Sequence, residues 1–84
     1  LKKPDDAANM LVDAFKAYCH TDPSAAIKCI DIAIERFLGQ GNLLRAARHT
    51  ELKAMLLEKL DDNLGAFETY CKAASYFESD GTVV

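Results

Sequence analysis

An all-α chain of two tandem helical hairpins is what this sequence predicts, and three observations predict it. Apolar residues recur at helical spacing in four segments, turn-forming residues separate those segments, and the second pair repeats the first at a shift of about forty residues. Strand signals are absent: no stretch alternates with period two, and no Asn-Gly or Asp-Gly joins two β-rich runs.

The first helix is expected from about Asp5 to Tyr18, with Pro4 and two aspartates at its start. Ala8, Leu11, Val12, Phe15 and Cys19 follow helical spacing and define one buried face. The second helix has the clearest start in the chain. Asp22 can cap the free amides, and Pro23 occupies the first helical position, where its missing N–H costs nothing. Ala26, Ile27, Ile30, Ala33, Ile34 and Phe37 give its core stripe, and Gly39 and Gly41 stop it. Asn42 is a cap for the third helix, which runs to about Lys59 and is expected to bury Leu43, Ala46, Ala47, Ala54, Met55 and Leu57. Asp61, Asp62 and Asn63 mark the next turn. The fourth helix, about Leu64 to Glu78, places Phe67, Tyr70, Cys71, Ala74 and Phe77 on one side, and Gly81 closes it.

The four helices are two copies of one pair. Ala7-Ala8 recurs as Ala46-Ala47 at a shift of 39; at a shift of 40, Ala26 becomes Ala66, Ile27 Phe67, Ile30 Tyr70, Ala33 Ala73, Ile34 Ala74 and Phe37 Phe77. One residue of slack in the loop accounts for the difference. Small residues let helices approach closely and aromatics fill the gap to the next pair, as in tetratricopeptide-like arrays of antiparallel hairpins. The sequence therefore predicts one helical-repeat domain over residues 1–84, with hairpin one at about 5–38 and hairpin two at about 42–79, from a right-handed solenoid. Such units stack by nearest-neighbour contact and seldom stand alone in twos. With the opening on Leu1 and the apolar Thr82-Val83-Val84 after a Gly turn, this suggests a piece of something longer.

Composition narrows the function. Half of the 84 residues are apolar, which predicts a packed core, and the net charge of −3 argues against general nucleic-acid binding. No apolar run approaches the roughly 20 residues of a membrane span. Cys19, Cys29 and Cys71 are odd in number and far apart, each inside a helical pattern, and read as reduced, buried thiols of a cytosolic protein. Zinc finds no CxxC or paired-His spacing. Catalysis finds no phosphate loop and no nucleophile signature beside His20 or His49, and Cys19 and His20 point about 100° apart on a helix. No enzyme activity, metal or cofactor is expected.

Charge distribution says more. Arg45, Arg48, Lys53 and Lys59 against Glu51 and Glu58 make the third helix the clearly basic one, at +2 within an acidic chain. Arg45, His49 and Lys53 fall at i, i+4 and i+8 with Arg48 beside them, and Lys16 and His20 form a shorter patch on the first helix. First helices of successive hairpins line one face of a solenoid, so both groups are candidates for docking an acidic protein surface. The plain alternative for any one of them is a solvated helix face. Asp31 and Glu35 are a like-charge i, i+4 pair, tolerable if solvated or partnered. Tyr18, Tyr70 and Tyr76 read as packing residues before interface anchors.

In order, DDAANMLVDAFKAY, DPSAAIKCIDIAIERF, GNLLRAARHTELKAMLLE and NLGAFETYCKAASYFESD resemble consecutive helices of the SNAP family, the soluble NSF attachment proteins, most closely the alpha type. The most telling parts are Asp22-Pro23 with Ala26-Ile27 and Cys29, then Ala33-Ile34-Glu35, Gly41, Ala46-Ala47-Arg48-His49, and Ala66 through Tyr70 to Ala73-Ala74 and Tyr76. The resemblance implies an adaptor that wraps the SNARE four-helix bundle after membrane fusion and recruits the hexameric ATPase NSF to pull it apart. It also implies a twisted sheet of hairpins whose concave, basic face meets acidic SNARE surface, in a cytoplasmic protein peripheral to membranes.

Arg48 falls at the family's basic position after the paired alanines. His20 stands where many members carry lysine before the Asp-Pro, which puts a weaker, pH-dependent charge there. Asn42 replaces a basic residue common after the glycine, with Arg45 one turn onward to compensate. The family's membrane-facing N-terminal loop and NSF-engaging C-terminal bundle have no counterpart in these residues. The site expected is Arg48 first, with Arg45, Lys16, His20 and Lys53. Two rivals remain: a generic tetratricopeptide-like module reading a short peptide tail with little salt dependence, and a structural spacer.

Overall fold

The computed structural model describes residues 4–80, with the side chains of residues 7–79. It holds four helices and, among the described residues, no strand: α1 (Pro4–Tyr18), α2 (Pro23–Gly39), α3 (Leu43–Lys59) and α4 (Asn63–Asp80). Gly81, expected to close α4, and the Thr82–Val84 tag lie outside the described residues, as do the side chains of Asp5 and Asp6.

The turns follow from local chemistry. Asp22 accepts a hydrogen bond from the Ala25 amide at 3.2 Å with Pro23 in the first turn, so the start of α2 is satisfied without cost. Asn42 does the same for Arg45 at 3.3 Å. At the end of α2, Gly41 takes φ +75, and the amides of Gly41 and Asn42 reach back to the carbonyls of Leu38 and Phe37 at 3.0 and 2.8 Å. That paired closure consumes carbonyls the helix would leave unsatisfied. α3 ends identically in geometry but not in residue: Asp61 sits at φ 64, with the Asp61 and Asp62 amides bonded to Glu58 and Leu57 at 3.0 and 2.9 Å. Asp62 then caps α4 through the Gly65 amide at 3.0 Å, and a Cβ at Gly65 would run into that same carboxylate.

Turns of four, three and three residues make the helices antiparallel neighbours. α1 packs on α2, α2 on α3 and α3 on α4, and among the described residues no other pair of helices brings Cα atoms within 8 Å of each other. The result is a slab one helix layer thick, with Cα extents of 36 × 32 × 15 Å. The core centres on α2: Ala26, Ile30, Ala33 and Phe37 are wholly buried between Ala8, Val12 and Phe15 of α1 and Ala46 and Leu56 of α3. The α3–α4 seam is lined by small residues, Ala47, Thr50 and Ala54 against Ala66, Thr69 and Ala73, all buried. The two threonine hydroxyls are satisfied by donating to carbonyls one turn back, Ala46 and Gly65, each at 2.7 Å. Tyr70 donates from its hydroxyl to Glu58 at 2.7 Å and ties α4 to the end of α3; that bond first, then desolvation and the Glu58 and Glu51 charges, raises the Tyr70 pKa.

Three burial expectations are corrected. Met55 is 49% exposed, and Leu56 takes the core position beside it. On α4 the side carrying Phe67, Cys71 and Ala74 is open, with Phe67 65% exposed, while the small residues face α3. Cys71 is accordingly an exposed thiol, and Cys19 and Cys29 are half-buried. Of the tyrosines, Tyr70 and Tyr76 are half-buried, whereas Tyr18 is exposed.

Candidate functional site

Because α1 and α3 are separated by α2's width, a groove of about 550 Å³ runs between them on one face of the slab. Phe15, Lys16, Cys19 and His20 form its α1 bank, and Leu52, Met55, Leu56, Lys59 and Leu60 its α3 bank, with Pro23 at one end. Both banks are the C-terminal halves of their helices, as two helices running in the same sense require. Lys16 and Lys59 are exposed cations at its edges, the exposed imidazole of His20 stands on the Lys16 bank, and among the described residues no acidic residue lines it.

Arg48 lies one turn before Leu52 and two before Met55, and at about 100° per residue it points within about 20° of Met55 and Lys59. It is exposed, and it holds no ion pair among the described residues. Arg45, on the same side of α3, is positioned by the α2–α3 seam. Its guanidinium stands 5.8 Å from the centre of the Phe37 ring. The His49 ring stacks on Phe37 with centroids 5.0 Å apart and donates from Nδ1 to the Arg45 carbonyl at 2.7 Å. The wholly buried Phe37 thus fixes the start of the basic face from below.

The structure brings Arg48, Arg45, Lys16 and His20 to the α1/α3 side, and it removes Lys53 from them. Lys53 is rotated about 140° from Arg48 around α3, and its Nζ pairs with Asp31 Oδ1 at 2.8 Å. The i, i+4, i+8 spacing from Arg45 misled because each such step drifts about 40°, which over two steps carries a side chain off the face. The pair also answers the Asp31–Glu35 repulsion: Asp31 is partnered, and Glu35 is exposed.

Lys53 belongs to a second groove, of about 730 Å³, between α2 and α4 on the opposite face. Asp31, Glu35, Glu68, Lys53 and Lys72 mix their signs there, so it offers no single-sign surface. Sequence reasoning missed Lys59 and the apolar bank beside it. The signal was present as Arg48, Leu52, Met55 and Lys59 at i, i+4, i+7 and i+11, a stripe that mixes cations with apolar residues. Among the described residues no cluster of three His, Cys, Asp or Glu side chains is arranged to hold a metal ion, and no helix is long and apolar enough to cross a membrane.

The family model described as soluble NSF attachment protein, SNAP, matches residues 1–84. A probable vesicular-fusion protein, a sec17 homolog of Neurospora crassa, is 42% identical over 84 residues, 99% of this chain and 29% of that protein. Its Schizosaccharomyces pombe counterpart is 39% identical over 77 residues, covering 90% of this chain and 27% of that protein. The human alpha-soluble NSF attachment protein is 35% identical over 81 residues, covering 95% of this chain and 28% of that protein. The chain therefore spans under a third of the length of these relatives. No solved structure matches it.

Proposed function

From the premise that this chain belongs to the soluble NSF attachment protein family, we propose that it is part of an adaptor in vesicle fusion that holds an acidic SNARE four-helix bundle against its α1/α3 face. Disassembly of the bundle is then the work of the NSF ATPase, engaged through parts of the protein outside these 84 residues. In this reading the whole protein acts in the cytoplasm at the membrane periphery, and the chain itself needs no catalytic group.

The observation that carries the proposal is a set of exposed cations on one face of a chain whose net charge is −3. Arg48, Lys16 and His20 have no ion-pair partner among the described residues, and Arg45 is held in place by Phe37. Cations left unpaired on a rigid helical surface attract an acidic partner and orient it as it arrives. Rigidity comes from the core beneath: Phe37, Ala46 and Leu56 hold α3 so that its basic side is presented without reorganisation. The names of the relatives, vesicular-fusion protein and soluble NSF attachment protein, support the same reading.

The test is Arg48→Glu in the full-length protein, with binding to assembled SNARE bundles measured across a salt series. Binding should weaken by about 5- to 20-fold at low salt, as expected where an attractive charge contact becomes repulsive, and the loss should shrink as the Debye length falls below about 8 Å. Helical content should not change. Undiminished binding at every salt concentration removes Arg48 from the face and the proposal with it.

A further inference from the structure

We infer that the groove between α1 and α3 takes an apolar side chain from an acidic amphipathic helix, so that the face grips its partner by insertion as well as by charge; this rests on the function proposed above.

Three observations converge. The floor of the groove is apolar, built from Phe15, Leu52 and Leu56, of which Phe15 and Leu56 are buried. Its α3 edge carries Met55 and Leu60 at 49% and 44% exposure. Single exposed apolar residues are ordinary on a protein surface, but two that border one concave apolar floor form a patch with a shape. A methionine there is suited to the task, because its unbranched thioether chain adapts to whatever side chain it meets.

The second observation is the sign of the rim. Lys16 and His20 stand on one bank and Lys59 on the other, Arg48 follows on the same side of α3, and among the described residues no carboxylate lines the groove. In a chain with 13 acidic residues against 10 Lys and Arg, a cleft whose charged rim residues are lysine and arginine selects its occupant. The groove between α2 and α4 supplies the contrast: it is larger, but three carboxylates and two lysines share its lining.

The third is direction. The two banks are parallel helix ends, and a channel of that form accommodates a helix laid along it, with anchors at i and i+3 or i+4 dropping to the floor. Acidic residues on the flanks of such a helix meet Lys16 and Lys59, one on either side. A partner with charge but no apolar anchor leaves the floor wet and gains only the steering component.

The experiment uses the full-length protein and the assembled SNARE bundle as probe, with Met55→Ser, Leu60→Ser and Met55→Leu beside Arg48→Glu. Met55 and Leu60 lie at the surface, and unchanged helicity and thermal midpoint verify that the variants fold. Met55→Ser and Leu60→Ser should each weaken binding about three- to tenfold, the weight of leaving half of such a side chain in water, and Met55→Leu should restore it. Unlike the effect of Arg48→Glu, that loss should persist at high salt. If Arg48→Glu weakens binding while both serine variants bind normally, insertion is wrong and the charge-led function stands. If none of the three weakens binding, both fall. If the serine variants lose affinity for anionic-lipid vesicles and keep it for the bundle, the occupant is a membrane and the inference is overturned.

Discussion

Replacing Asp61 with glycine should make this protein more stable, although it removes a side chain and adds no contact. α2 and α3 end in the same double hydrogen-bonded closure, and each needs one residue in the left-handed region: Gly41 at φ +75 and Asp61 at φ 64. A side chain in that conformation costs roughly 1–2 kcal/mol, with aspartate at the lower end because its short polar chain tolerates it. Glycine gives back roughly 0.5–1 kcal/mol through the greater freedom of the unfolded chain. The carboxylate's charge nearly cancels, since it faces the negative end of α3 and the positive end of α4 at once. A net gain of about 0.5 kcal/mol remains, which for a domain of this size is a rise of roughly 2–4 °C in Tm. Urea denaturation followed by circular dichroism reads it as a higher midpoint at unchanged m-value. Gly41→Ala is the matched control: nothing lies within 4 Å of the added Cβ, so its cost of about 1 kcal/mol is conformational alone. A fall in midpoint for Asp61→Gly, with the expected loss for Gly41→Ala, refutes the reasoning, since Asp61 would then be contributing more than its backbone strain costs.

Phe37→Ala should cost about 3–5 kcal/mol by leaving a cavity at a fully buried site, and it should unseat Arg45 and His49 together; loss of stability with no change in SNARE binding by the surviving folded protein would separate Phe37 from the basic face. Lys53→Met should leave binding to the SNARE bundle within about twofold and change stability by under about 1 kcal/mol, because its pair with Asp31 is partly solvated and lies on the other face. Binding that fell as far as for Arg48→Glu would contradict that placement. Phe67→Ser in the 84-residue chain should lower the unfolding free energy read by urea denaturation by no more than about 0.5 kcal/mol, as befits a side chain 65% exposed; a loss of several kcal/mol would place Phe67 in the core after all.

The helices and their junctions were legible because each rests on local chemistry. Asp22-Pro23, Asn42 and Gly41 act through bonds made within three to five residues, and no tertiary information is needed to place them. Arg48, Lys16 and His20 were legible as a face because equivalent helices of a repeat share a side. Lys53 was not, since assigning it required knowing that Asp31, 22 positions earlier in the chain, comes within 2.8 Å. The groove was hidden for a related reason: Met55 carries an apolar side chain at a spacing that suits a core, and the separation of the α1 and α3 backbones leaves it at a surface.

α4 shows what periodicity can and cannot decide. The helix has two apolar stripes, the larger Phe67, Cys71 and Ala74 and the smaller Ala66, Thr69 and Ala73, and size alone favours burying the first. The structure buries the second, because Ala47, Thr50 and Ala54 of α3 are themselves small and a close seam forms only between small residues. The repeat explains the first stripe. At a shift of 40, Phe67 and Ala74 correspond to Ile27 and Ile34 on α2, and there Ile34 is buried in the core with Ile27 packed against it. Among the described residues no helix occupies the corresponding place beside α4. Spacing therefore reveals that a face is apolar; which neighbour covers it is set by the repeat's register, and in this chain the two answers part at Met55 of α3 and along α4.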